Sequence, residues 1–278
     1  MERRVFIKAA SAGAFAPLAG ALPAEERTPM ASLPARQGAP LADLGSHWPL
    51  FEKLAAQSAH PKMSFLNAEF TDINPWLEKA RAYVFTCLHY APPKCGPNPE
   101  VLEKVDLGTY TRERVLINTN PDIRIPVYVL VPKGLKKPAP AIIALHDHGG
   151  FYYWGKEKLV EIEPEHPALA KHKRTCYGGR SIADELAKRG YVVIASDMLH
   201  FGERGLYLDE DPERIKNRTL DVTETDIQEF NARAWAHEEL VSRAALACGV
   251  TWSGINVMDD QRVADYLISR PEVDPERV

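Results

Sequence analysis

Apolar and polar positions change their period several times along the 278 residues, and each change marks an element. Between residues 42 and 100, "HWPLFEKLAAQ" and "NPWLEKARAYVFTCLHY" place Trp76, Leu77, Ala80, Tyr83, Val84 and Leu88 at three- and four-residue spacings, which predicts helices with aromatic residues used for packing. The pattern then becomes β-like: "ERVLINTNPDIRIPVYVLVPKG" holds two β-rich runs around a turn-forming cluster at 118–122, and reads as an antiparallel hairpin. "APAIIALHDHGG" is a continuous apolar run, as expected of a strand buried on both faces of a parallel sheet. In "SIADELAKRGYVVIASD", Ser181 and Asp184 form a capping-box pattern, Ile182 and Leu186 share a face, Gly190 suits a C-cap, and a strand follows. Strand, helix, strand in this order predicts a parallel crossover. Further on, Ile227, Phe230 and Ala234 mark one face of a helix over 226–247, and Val257, Ala264 and Leu267 mark another. Trp235 and Trp252 are assigned to the core of these helices, and "PEVDPERV" reads as the start of one more strand.

A hydrophobic content of 45% is enough to build a core over this length. The formal charge of −4, with no Lys/Arg stripe, argues against a nucleic-acid partner. The first residues alter the picture. Arg3-Arg4, then Phe6, Lys8 and a weakly apolar Ala/Gly run, resemble a twin-arginine export signal, which implies the export machinery as a partner and a periplasmic or extracellular destination. That run is too short and too weakly apolar for stable membrane insertion. The expected organisation is a signal over 1–24, a Pro/Ala/Gly-rich linker over 25–41, a helical extension over 42–100 and the main domain over 101–278. Cys87, Cys95, Cys176 and Cys248 show no CxxC spacing; a Cys87–Cys95 pair and free thiols both stay open.

The candidate chemistry lies in "LHDHGG". Two histidines around an aspartate at a strand end fit a metal cradle, a base with its partner, or an oxyanion corner. Taken with the leading hairpin, the crossover helix, the "FGERG" loop and the helix closing on "RVADYLISRPEVDPERV", the stretch resembles the α/β-hydrolase superfamily, within it the dienelactone-hydrolase and acetyl-xylan-esterase-like branch. The resemblance covers residues 105–278. It implies an α/β-hydrolase fold, mostly parallel after a leading antiparallel hairpin, with helices on both faces and incomplete at the C-terminus. It also implies a serine nucleophile at a Gly-x-Ser-x-Gly elbow and an oxyanion held partly by backbone N–H groups of the His-Gly-Gly corner, here Gly149 and Gly150.

No Gly-x-Ser-x-Gly occurs in the chain, so the nucleophile is expected beyond Val278, with the acid and histidine of the triad further on. His146 and His148 precede that position and are not the family's base. His146 is read as a buried imidazole bonded to backbone, and His148, nearer the mouth, stays open between that role and a substrate contact. Tyr152 and Trp154 are candidates for stacking on a sugar ring, and Glu203 and Arg204 for substrate contact or an internal clamp. The function implied is an exported serine carboxylesterase acting on an acyl or methyl ester of a carbohydrate, with a small-molecule or oligosaccharide ester as substrate and no cofactor or metal. The alternatives are a non-catalytic fragment or carbohydrate-binding module lacking the nucleophile, and a metal-dependent hydrolase using His146 and His148.

Overall fold

A computed structural model describes residues 42–57 and 62–278; the expected signal over 1–24 and linker over 25–41 lie outside the described residues. The chain divides at Cys87/Leu88 into two units. The first holds a short 3-10 turn, Ala42–His47, and helix α1, Trp48–Gln57; helix α2, Ile73–Leu88, follows the register set by Trp76, Ala80, Tyr83 and Val84. Within this unit Trp76 packs on Phe65 at 5.1 Å between ring centres and donates its indole N–H to the Met63 carbonyl at 2.8 Å.

The second unit, Leu88–Val278, is built on a five-stranded sheet of β1 (Glu100–Asp106), β2 (Tyr110–Asn120), β3 (Ile123–Pro132), β4 (Ala141–Ala144) and β5 (Val192–Ser196), in the order β1-β2-β3-β5-β4. The expected hairpin is β2–β3, in register from Tyr110–Pro132 to Asn118–Arg124, with a shift before the last pair, Asn120–Ile123. The sheet departs from expectation in its sense: three of its four strand pairs are antiparallel, and only β4 and β5 run parallel. One cause is β1, which the sequence pattern did not reveal. Its residues are almost all exposed, so "EVLEKVD" carries no buried face to set a period of two.

The core explains the apolar run of β3. Val127, Val129 and Val131 join Val115 and Ile117 of β2 against helix α7 (Trp252–Ser269), through Val263, Tyr266 and Leu267. The alternate residues Tyr128 and Leu130 pack with Val193 and Ala195 of β5 against helix α4 (Ile182–Lys188), through Ala183 and Ala187. Both faces of β3 are therefore buried, and alternation gives way to a continuous run.

The parallel crossover runs from β4 through α3 (Pro167–Tyr177) and α4 to β5. Its expected capping box is not formed. Ser181 Oγ instead accepts from Lys173 Nζ at 3.1 Å, and Asp184 accepts from the Tyr110 hydroxyl at 2.5 Å and from the Glu161 N–H at 2.7 Å. A capping box is formed further on, where Thr223 and Asp226 start α6 (Glu224–Ala247), after the short α5 (Glu213–Lys216). Ile227, Phe230 and Ala234 are buried as expected. β5 lies inside the sheet with Val192 and Val193 buried, whereas Ile142 and Ile143 of β4, at the end of the strand order, are half-buried. Residues 273–277 run beside β4: Val273 bridges Ala139 in the parallel sense, and the Arg277 carbonyl accepts from Ala141 N–H at 2.9 Å.

All four cysteines are free thiols, and no helix among the described residues is long and apolar enough to cross a membrane.

One carboxylate of α7 works against folding at neutral pH. Burial, reinforced by the charge of Asp259, pushes the Asp260 carboxyl up to about 6 from its ordinary 3.8. Between those pH values the folded protein keeps a proton that the unfolded chain has released, so stability falls as pH rises through the window and the full cost holds above it. Asp260→Asn should raise stability at pH 7.5 by at most about 3 kcal/mol, with no gain at pH 3.5. Urea titrations at the two pH values test this; an equal effect at both would sink it.

Candidate active site

Because β4 and β5 are parallel neighbours, with Ala144 paired to Ala195, the loops that follow them emerge side by side at the carboxyl edge, where α/β sheets place their ligands. The first loop carries His146 to Lys158 and the second Asp197 to Arg204.

The glycines close a turn. The Phe151 N–H donates to the His148 carbonyl at 3.2 Å, with Gly149 and Gly150 between them at φ +51° and +65°. Positive φ at both central positions is the signature of a type I′ turn, which favours glycine. The two N–H groups differ. That of Gly150 donates to His148 Nδ1 at 3.2 Å, while that of Gly149 has no partner among the described residues. The His148 carbonyl, held by Phe151 N–H and lying 3.5 Å from Lys158 Nζ, shares a trans peptide with the Gly149 N–H and so fixes it in the opposite direction. Gly149 is exposed, and neither it nor Gly150 lines the cavity of about 520 Å³ that lies between Trp154, Glu203 and Arg218.

His146 is buried and takes the expected structural role: Nδ1 donates to the Asp147 carbonyl at 2.9 Å and Nε2 accepts from Met198 N–H at 3.2 Å. Burial first, then the charge of Lys158, lowers its pKa, which keeps it neutral. His148 is half exposed. With Nδ1 accepting from Gly150, its Nε2–H is assigned to donate to Glu238 at 2.7 Å, and the Tyr152 hydroxyl donates to the same carboxylate oxygen at 2.7 Å. The two histidines therefore have different partners and do not converge on one point.

Tyr152 and Trp154 do not form an exposed stacking surface. Tyr152 is fully buried between His148 and Phe201, and Trp154 packs against Phe151, Tyr153 and His166. The exposed aromatic at this corner is Trp235, assigned to the core by its helical setting but 61% exposed and edge-on to His148 at 6.0 Å. It belongs to a face the apolar pattern did not disclose. Asn231, Trp235 and Glu238 stand at i, i+4 and i+7 on α6, and Asn231 Oδ1 accepts from the N–H groups of Tyr152 and Tyr153 at 2.8 and 3.0 Å.

Glu203 and Arg204 are brought to the same edge and held in internal pairs. Arg204 donates to the Asp197 carbonyl at 3.0 Å and to Asp259 at 2.7 Å; Glu203 accepts from Lys156 at 2.6 Å and from Arg114. The centre of this network is "GKEK", residues 155–158, whose charges give no sign in the sequence of being internal. Lys156 is fully buried, with Nζ 2.7 Å from Asp197, 2.6 Å from Glu203 and 3.2 Å from Glu157. Burial alone would push its pKa down, but Asp197, Glu157 and Glu203 together outweigh burial and hold it above the ordinary lysine range. Gly155 and Gly202 make room for Asp197: a Cβ on either would come within 2.1 or 2.5 Å of its Oδ1. Lys158 is also buried, donates to the Asp147 carbonyl at 2.8 Å, and is pushed down to about 8, chiefly by burial.

The sequence profile of the Abhydrolase family matches residues 51–278, more than three quarters of the chain. The chain belongs to the Abhydrolase family. It thereby joins the α/β-hydrolase superfamily, as the hairpin, crossover and glycine corner implied. A protein of Bacillus subtilis (strain 168) named "Putative hydrolase YtaP" is 29% identical to this abhydrolase over 166 residues, 60% of this chain and 42% of that protein. A crystal structure from Bacteroides fragilis NCTC 9343, described as "a putative acetyl xylan esterase", shares the fold with a TM-score of 0.61 at 19% identity, over 84% of this chain and 53% of that one. The abhydrolase chain spans about half the length of these relatives.

Proposed function

We propose that this abhydrolase is an exported serine carboxylesterase of the dienelactone-hydrolase and acetyl-xylan-esterase-like branch. It acts without a cofactor on an acyl or methyl ester of a carbohydrate, and its nucleophile is a Gly-x-Ser-x-Gly serine in residues that follow Val278. The observation that carries this reading is the Gly149 N–H, unpartnered and held in direction at the carboxyl end of β4. A donor fixed before the reaction begins can stabilise a developing oxyanion without reorganising. Gly150, whose N–H is taken by His148, supports the turn rather than supplying the second donor; that donor comes from the residue after the serine. Among the other candidates, His148 keeps the exposure a substrate contact needs, and Tyr152, Trp154, Glu203 and Arg204 shape the corner from beneath. The likeness to a structure described as an acetyl xylan esterase supports a carbohydrate ester, and Arg3-Arg4 supports twin-arginine export. The reading that makes His146 a metal ligand loses support because both its ring nitrogens are engaged by backbone groups.

The test uses the complete gene product with its native N-terminus. A serine-directed fluorophosphonate should label one serine beyond Val278 and abolish ester hydrolysis, and replacing Arg3 and Arg4 by lysine should leave the protein in the cytoplasm. Ester hydrolysis without labelling, or a label on a residue within 1–278, would overturn the serine assignment; unchanged export would overturn the targeting.

A further inference from the structure

We infer that Asp147, His172 and Cys176 form a binding site for a thiophilic divalent cation of the zinc class. The inference is independent of the esterase reading. His172 and Cys176 stand four residues apart on α3 and so share one face, and Asp147 reaches that face from the loop after β4. Each side chain offers one ligand atom, and the three atoms lie within 4.8 Å of one another. His172 Nε2 is 3.2 Å from Asp147 Oδ1, and Cys176 Sγ is 4.0 Å from His172 Nδ1. One ion takes only one of the two imidazole nitrogens. Metal–ligand bonds of about 2.0–2.3 Å in a tetrahedron put donor atoms roughly 3.3–3.8 Å apart, so one donor atom from each residue within 4.8 Å of the others needs side-chain rotation to close the site.

Three further observations point to a cation here. Asp147 Oδ2 is buried with no hydrogen-bond partner, whereas Oδ1 meets His172 and the Tyr177 hydroxyl. An orphaned buried carboxylate oxygen is costly unless something positive or protic meets it. The surrounding groups also orient the ligands, as outer groups do at metal sites: Tyr177 donates to Asp147, and the Phe151 ring stacks on the His172 imidazole at 4.5 Å and 13°. Finally, Gly149 leaves the approach open, since a Cβ there would lie 2.2 Å from Asp147 Oδ2 and 3.1 Å from His172 Cε1.

A thiolate, an imidazole and a carboxylate make a borderline-soft donor set, which selects zinc over magnesium or calcium. Three protein ligands leave a fourth position for water, and the exposure of Cys176 provides a route from solvent. The second group of converging acids, Glu157, Asp197 and Glu203, differs in kind, because the Lys156 ammonium already sits among its oxygens. Among the described residues Lys158 is the ammonium facing Asp147, 3.9 Å from Oδ1, the oxygen that is already engaged. The ion would therefore take Oδ2.

Cobalt(II) tests the site, since it takes zinc positions and reports a thiolate ligand by near-ultraviolet charge-transfer absorption. Chelator-treated protein titrated with cobalt should develop that band at one equivalent and lose it when zinc is added. Cys176→Ser should abolish the band and His172→Ala should weaken binding more than about tenfold, while Cys248→Ser, at another exposed thiol, should change nothing. A measurement on the unaltered protein completes the test: zinc, and not magnesium, should slow alkylation of Cys176 by iodoacetamide. No band, a band that survives Cys176→Ser, or alkylation indifferent to zinc would each overturn the site.

Discussion

Lys156→Met is expected to cost about 3–5 kcal/mol of folding stability, the range seen when one partner of a buried ion pair is removed. Lys156 is fully buried and its ammonium is shared by Asp197, Glu203 and Glu157, while Arg114 and Arg218 complete the cluster on Glu203 and Glu157. Loss of Lys156 leaves one negative charge in excess, with Asp197 the most affected because its side chain is entirely inaccessible whereas that of Glu203 is partly exposed. The methionine side chain matches most of the volume, so the loss measures charge rather than a cavity. Urea denaturation of the single variants and of Lys156→Met with Asp197→Asn gives the check. The pair should recover only part of the loss: the unpaired charge is gone, but the single asparagine oxygen can accept from only one of the N–H groups of residues 156 and 203, which Asp197 meets separately with Oδ1 and Oδ2. A Lys156→Met protein as stable as the parent would show that the cluster is open to water.

Gly149→Ala in the complete protein is expected to lower kcat by about a hundredfold or more, the usual effect of losing one oxyanion donor. The alanine keeps its N–H, so the loss would come from displacement. A Cβ at this position lies 2.2 Å from Asp147 Oδ2, and the backbone sits at φ +51°, which side chains with a Cβ rarely adopt. The turn must move, and the fixed relation between the His148 carbonyl and the Gly149 N–H is lost. Gly150→Ala is the matched control: it meets the same backbone strain at φ +65° but has open space for its Cβ, and its N–H serves His148. It should cost about 1 kcal/mol of stability and change turnover only severalfold. Equal losses of kcat in the two variants would indicate that turn strain, rather than the position of one donor, is what matters.

Much of the frame was legible in sequence order. The β2–β3 hairpin, the crossover into β5, the buried face of α6 and the glycine corner were all readable, because each rests on the period of apolar residues or on a turn that needs positive φ. The elements missed are those without such a pattern. β1 is an exposed strand whose pairing depends on a partner edge, and the Ser181–Asp184 box gave way because Tyr110 and Glu161 reach Asp184 from elsewhere in the chain.

The site divides in the same way. By itself the sequence determined that two glycines end an apolar strand in a turn and that the chain has the order of elements of an α/β-hydrolase, and it favoured a structural role for His146. Only the tertiary structure decided which glycine N–H is free, that Tyr152 lies inside while Trp235 faces solvent, and that "GKEK" is a buried charge network. The reason is separation along the chain. Lys156 meets Asp197 across 41 residues and His148 meets Glu238 across 90, and a charge is interior or exposed according to partners that no local period encodes.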